Sequence, residues 1–183
     1  MSAAAKPKMT AEEFVVWAEA QPGRYELVDG EVLAQASERL AHAKTKGAVY
    51  VALLDAVRRA GAPWHVLPDG MAVRVDASTV FEPDAQLYCG PELAPDTLLV
   101  REPLIVVEVL SPSTGRNDAL GKLEGYFLIP SIAHYLIIDP DTPRVIHQRR
   151  GEGRDILTRV YHDGDIALDP PGLSLPLSAI YAR

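Results

Sequence analysis

Glu108 sits in Leu104-Ile105-Val106-Val107-Glu108-Val109-Leu110, with apolar residues on both sides. Taking an isolated carboxylate out of water costs several kcal/mol unless it is paired, protonated or bound to a metal. Either the strand ends there and Glu108 meets solvent or an arginine, or a cation offsets the cost. Asp84 follows Pro83 at a strand start, 24 residues before Glu108. Alone, Pro-Asp is a turn signal. Two adjacent strands joined by a long loop, however, can bring both carboxylates to one end of a sheet. Oxygen ligands of that kind suit Mg²⁺ or Mn²⁺, which keep several waters and bind one or two carboxylates plus a phosphate. Lys122 lies 14 residues beyond Glu108, on the flank of a predicted helix with Asp118 and Tyr126, away from Leu120, Leu123 and Phe127. It is either a solvated lysine paired with Asp118 or an ammonium leaning over the end of the carboxylate-bearing strand.

The elements that must position these groups follow from pattern. Thr10-Ala11-Glu12-Glu13 is a capping box opening a short helix with Phe14 and Trp17, which Pro22-Gly23 ends. Asp29-Gly30 between Tyr25–Val28 and Glu31–Ala34 predicts a hairpin. Its register sets Val28 against Glu31 and Glu26 against Leu33, so Glu26 and Glu31 share one face, which is a solvated face or an approach to a metal. Residues 38–60 form the longest helical pattern, stopped at Gly61-Ala62-Pro63. His42 begins its apolar stripe (42, 46, 49, 53) and reads as a helix-start residue rather than a ligand. Strands are expected at 64–67, 71–75 and 84–88, then a loop over 89–102. Leu104–Leu110 is nearly all β-branched or leucine, as in a central strand buried on both faces. It should lie beside the Asp84 strand and, through a crossover helix at 117–128, parallel to the strand His134–Ile138. Residues 144–149 and 155–161 read as a hairpin, and 162–165 as a turn. The order is α+β, or mixed α/β, with helices flanking a central mixed sheet.

Composition bounds the function. The 183 residues are 48% hydrophobic and 23% charged, as in a soluble globular chain. That length suits one domain over 1–183, with residues 1–9 flexible. No apolar run approaches the roughly 20 residues of a membrane span, and residues 1–8 lack the apolar core of a signal peptide. A single cysteine, Cys89, excludes a disulfide framework or a multi-cysteine zinc site. The chain reads as cytoplasmic. A net charge of −7 argues against coating nucleic acid by electrostatics alone, but leaves room for a local patch with a metal ion. His65, His134, His147 and His162 show no metal-ligand spacing. Arg58-Arg59 and Arg149-Arg150 with Arg154 could touch phosphates, with solvated surface as the default.

Several of these residues also form an ordered set. Pro83-Asp84, then Ile105-Val106-Val107-Glu108-Val109-Leu110-Ser111-Pro112-Ser113-Thr114, then Asp118, Lys122 and Tyr126, then Ala133-His134-Tyr135-Leu136-Ile137-Ile138-Asp139-Pro140, resemble the restriction-endonuclease-like superfamily with its PD-(D/E)XK signature. More narrowly the chain resembles the small bacterial restriction-endonuclease-like proteins of the Uma-two type (domain of unknown function 820). Tyr25-Glu26-Leu27-Val28-Asp29-Gly30-Glu31 matches the amino-terminal hairpin of that group, so the resemblance spans roughly 10–180. In the parent signature lysine stands two residues after the glutamate, where this chain has Leu110. The narrower group supplies it from the next helix, which gives Lys122 the role.

The resemblance implies a metal-dependent endonuclease hydrolysing phosphodiester bonds of DNA, with Mg²⁺ or Mn²⁺ as cofactor and a homodimer as a possible assembly. It implies Asp84, Glu108 and the carbonyl of Val109 as metal ligands, Lys122 as the group that orients water and offsets phosphoryl charge, and Glu26 as a further catalytic residue. The alternative is a nucleic-acid- or partner-binding module that keeps the fold without turnover. Glu31, His42, Asp118 and Tyr126 carry no assigned role.

Overall fold

The computed structural model describes residues 8–111 and 116–181, with the side chains of 116–120 outside the description. The Pro112–Gly115 break and the pairing partner expected of Lys122, Asp118, therefore lie outside the described residues, as do residues 1–7. In chain order the elements are α1 (Ala11–Glu19), β1 (Tyr25–Val28), β2 (Glu31–Ala34), α2 (Leu40–Ala60), β3 (Trp64–Pro68), β4 (Ala72–Arg74) and β5 (Val80–Phe81). Then come β6 (Ala85–Cys89), β7 (Leu99–Val100), β8 (Pro103–Val109), α3 (Arg116–Leu128) and β9 (His134–Ile138). The last elements are β10 (Val145–Arg150), β11 (Ile156–Tyr161), β12 (Asp165–Leu168), β13 (Leu173–Pro176) and α4 (Leu177–Tyr181).

Local chemistry sets the boundaries. Thr10 Oγ1 accepts from the Glu13 amide at 3.2 Å while Glu13 Oε2 accepts from Thr10 N at 2.9 Å, the reciprocal capping box. Asp29 and Gly30 both have positive φ, 51° and 81°, which a two-residue hairpin turn requires. The expected register follows, with Val28 opposite Glu31 and Glu26 opposite Leu33. Met9 N donates to Gly30 O at 3.0 Å, tying the chain before α1 to the hairpin. Gly61 closes α2 in the left-handed region.

A six-stranded mixed sheet runs in the order β11-β10-β9-β8-β6-β3. β8 lies between β6, antiparallel, and β9, parallel across the α3 crossover, as its apolar run demands. Ile105, Val107 and Val109 meet Val49, Leu53 and Val57 of α2 on one face. Val106 meets Tyr126 of α3 and Phe81 on the other, and Glu108 shares that second face by strand alternation. A second sheet, β2-β1-β5-β4-β7, carries the hairpin and leads through β5 directly into Asp84. The mixed α/β architecture with flanking helices is thus as expected.

Four stretches differ from the sequence expectation, the first being β5, which pairs with β1 and β4 where no strand was expected. The 89–102 loop contains β7, whose two residues pair in parallel with β4. The turn at 162–165 opens a real hairpin, β12–β13, whose Ile166, Leu168, Leu173 and Leu175 complete the α2-side core. α4 is too short for helical periodicity to announce it. Arg150, an expected phosphate contact or surface residue, donates instead to the carbonyls of Phe127, Ile129 and Ile132, closing the end of α3. No helix of the described residues is long and apolar enough to cross a membrane.

At Gly125, α3 packs closely against Phe81 of the second sheet. A Cβ there would stand 2.6 Å from Phe81 Cε2, and Phe81 in turn packs edge-on against Tyr126. Helix propensity alone would make Gly125→Ala stabilising by about 1 kcal/mol. The clash predicts the reverse, a loss of about 1–3 kcal/mol in denaturant unfolding. A raised melting temperature would contradict this packing.

Candidate active site

The carboxyl end of β8 and the start of β6 meet over a cleft of about 240 Å³, walled by the hairpin on one side and α2 on the other. Each candidate side chain is set there by its backbone. Asp84 N donates to Val107 O at 2.9 Å, and Val109 N donates back to Asp84 Oδ2 at 2.7 Å. Glu26 reaches the cleft because residue 26 faces Leu33 across the hairpin. Its Oε1 accepts from the Glu82 amide at 2.9 Å, two residues before Asp84.

Lys122 connects the hairpin to the central strand. Its Nζ lies 2.8 Å from Glu26 Oε1 and 3.0 Å from Glu108 Oε1, and it is only 7% exposed. Tyr126, one turn later on α3, donates to the same Glu108 oxygen at 2.7 Å. Asp84, Glu108, Lys122 and Glu26 thus line one cleft. Tyr126 orients Glu108, whereas Glu31 stays exposed outside the cleft. The Val109 carbonyl is within 2.9 Å of His42 Nε2.

Sequence reading set His42 aside as a helix-start residue, yet α2 brings its ring 3.6 Å from Asp84 Oδ2. It counted position 46 in the apolar stripe and gave Lys46 no role. That lysine is 8% exposed on the apolar stripe of α2, and its Nζ pairs with Glu38, with Asp69 at 2.6 Å and with Asp84 at 3.7 Å. Arg24 pairs with Glu38, Asp69 and Glu82 at 2.7, 3.1 and 2.6 Å. A lysine and a histidine four residues apart on an otherwise apolar helical stripe were the available signal, because a solvated lysine would not sit on that stripe.

Charge in the cleft is out of balance. Among the described residues, Glu26, Glu38, Asp69, Glu82, Asp84 and Glu108 stand against Arg24, Arg39, Lys46 and Lys122. Burial raises the pKa of Glu108, and the neighbouring Asp84 adds to it, over the opposing pull of Lys122 and Tyr126. Glu26 is raised by burial, with Lys122 opposing and Glu108 contributing. Asp84 is raised by burial despite the Val109 amide. Lys122 is held protonated, since Glu108 and Glu26 outweigh its desolvation. Glu38 is lowered because Lys46 outweighs its burial. Three buried oxygen donors whose carboxyls burial raises suit a hard divalent cation such as Mg²⁺ or Mn²⁺ by donor type, while the described group with three ligand atoms within 4.8 Å of one another is Glu38, His42 and Asp84.

The sequence family described as "Putative restriction endonuclease" (Uma2) matches residues 11–179. The chain belongs to that family. It is 27% identical over 177 residues to the "Uncharacterized protein slr1290" of Synechocystis sp., covering 96% of this chain and 92% of that protein. Its fold matches the crystal structure of "a putative nuclease belonging to DUF820" from Anabaena variabilis, with a TM-score of 0.75 and 14% identity, over 95% of this chain and 98% of that one. Family membership and shared fold agree with the resemblance read from Pro83-Asp84, the Glu108 strand and Lys122.

The pKa directions fix a pH dependence. A carboxyl raised on folding contributes stability that is complete below its unfolded value and is lost as pH rises through its folded value. For Glu108 that loss begins above the ordinary value of 4.5. In metal-free protein, the stability of Glu108→Gln relative to the unmutated chain should therefore improve from pH 5 to pH 7. Urea unfolding at the two pH values measures it. An unchanged or opposite difference would mean that Lys122 and Tyr126 fully compensate the buried charge.

Proposed function

We propose that this chain is a divalent-metal-dependent nuclease hydrolysing phosphodiester bonds of DNA. The observation that carries the reading is the set of three buried carboxylates, Glu26, Asp84 and Glu108, gathered with Lys122 where β8 ends in an open cleft. Membership of the family described as "Putative restriction endonuclease" supports the substrate class.

Asp84, Glu108 and Glu26 would hold the cation, with the second lone pair of the Val109 carbonyl. Once bound, the cation would supply Lewis-acid polarisation of the phosphate and acidify the attacking water. The protein's own residues do the positioning. The Val109 amide fixes Asp84, and Tyr126 fixes Glu108. Lys122 carries a charge that burial between two carboxylates keeps in place, so it needs no reorganisation to meet charge growing on the phosphoryl oxygens. The net charge of −7 makes this local positive charge, with the cation, the means by which a polyanion is tolerated.

Asp84→Ala and Glu108→Ala should lose Mn²⁺ binding and DNA cleavage together. Lys122→Ala should keep metal affinity while cleavage falls by about 10²-fold or more. The same variant leaves Glu26 and Glu108 facing each other unpaired, so metal-free protein should lose about 3–5 kcal/mol, partly recovered on adding Mn²⁺. Calorimetric metal titration, cleavage of labelled DNA and thermal melts read these effects. Metal binding without cleavage of any nucleic acid would turn the reading into that of a binding module. Wild-type cleavage by Lys122→Ala would remove the lysine from the chemistry.

A further inference from the structure

The carboxylates of the proposed nuclease site face a group on α2 that it leaves unused. His42 is 6% exposed, and its Nε2 lies 2.9 Å from the Val109 carbonyl oxygen. A carbonyl only accepts, so Nε2 carries the hydrogen, and a ring with no second proton keeps a lone pair on Nδ1. Nδ1 is buried without a hydrogen-bond partner among the described residues. The atom it faces, at 3.5 Å, is Glu38 Oε2. Two lone pairs facing each other at the edge of the cleft repel unless something positive lies between them.

The surroundings hold Glu38 in that pose. Its Oε1 is engaged by Lys46 and by Arg24 at 2.7 Å, which leaves Oε2 toward the ring. Asp84 completes the group, since one ligand atom from each of Glu38, His42 and Asp84 lies within 4.8 Å of the other two. Around a six-coordinate ion with bonds of about 2.1 Å, ligands stand about 3.0 Å apart when adjacent and about 4.2 Å when opposite. The 3.5 Å between Nδ1 and Glu38 Oε2 lies between those two separations, and Asp84 must draw in toward them for all three to hold one ion.

We propose that Glu38, His42 and Asp84 form a second cation position on the α2 side of the cleft, which takes a first-row transition ion such as Mn²⁺ in preference to Mg²⁺. It extends the proposed function, whose cation lies against Glu108 and Glu26, and shares only Asp84 with it. An imidazole nitrogen sets the preference: it suits Mn²⁺, Co²⁺, Ni²⁺ or Zn²⁺, whereas Mg²⁺ keeps to oxygen and its waters. The competing occupant of the gap is a proton on Nδ1.

Mn²⁺ titration with pulsed EPR separates the two, because only a bound ion shows nitrogen coupling from imidazole. The unmutated protein should bind two Mn²⁺, one of them coupled, and excess Mg²⁺ should displace the uncoupled ion first. His42→Ala should lose the coupling and one ion. Glu38→Gln, less buried and so the safer fold, should weaken the coupled ion by about tenfold or more, at least the scale seen for outer partners of a bound metal. Glu108→Gln should remove the uncoupled ion and spare the coupled one. Absence of coupling at saturating Mn²⁺, or its persistence in His42→Ala, overturns the proposal. One uncoupled ion that Glu108→Gln abolishes overturns the second position while the nuclease reading stands. A coupled ion in a protein that cuts no nucleic acid supports the position and counts against that reading.

Discussion

The ion triplet Glu26–Lys122–Glu108 ties together three parts of the chain that would otherwise only touch. Lys122 comes from the crossover helix, Glu108 from the central strand and Glu26 from the amino-terminal hairpin of the other sheet. An ammonium buried between two carboxylates recovers its desolvation only if the geometry is good and the remaining oxygens are satisfied. Tyr126 and the Glu82 amide add second donors to the two oxygens that Lys122 already holds, Glu108 Oε1 and Glu26 Oε1. The arrangement still leaves the cleft with more negative than positive charge, and the raised carboxyls of Glu26, Asp84 and Glu108 express that excess. A fold that kept stability alone in view would place apolar residues at such positions. Retaining this cluster at the mouth of a cleft makes sense if a cation is to be recruited there.

α2 gives the same region a second set of charges. Lys46 and Arg24 hold Glu38 and Asp69, and through Lys46 the charge reaches Asp84. Asp84 thus contacts the α2 network through Lys46 and His42 and influences the network of α3 and the hairpin only through its charge near Glu108. Its backbone position is fixed by strand pairing and its side chain by the Val109 amide, so neither network can move it far.

Much of this was legible in the sequence wherever a local rule was strong. Asp29-Gly30 gave the hairpin with its register, and so placed Glu26 on the correct face. The apolar run of 104–110 identified the central strand, and the lone Glu108 inside it marked the site. Lys122 was harder, because helical phase says which flank a residue occupies and not what stands opposite. Only the tertiary crossing of α3 over the hairpin makes it a buried pair instead of a solvated lysine. His42 and Lys46 went unrecognised because their stripe was read for its apolar members. The β12–β13 hairpin was passed over because its strands are four residues each and its core partners lie on α2, more than a hundred residues away.

The central claim is that this surplus of buried negative charge holds a divalent ion in bonding distance of both Asp84 and Glu108. Anomalous diffraction from a crystal grown in Mn²⁺ tests it most directly. The account predicts a manganese peak between those two carboxylates, with Lys122 still in the cleft at Glu26. A cleft without an anomalous peak at saturating Mn²⁺, and with Lys122 still bridging Glu26 and Glu108, would contradict it.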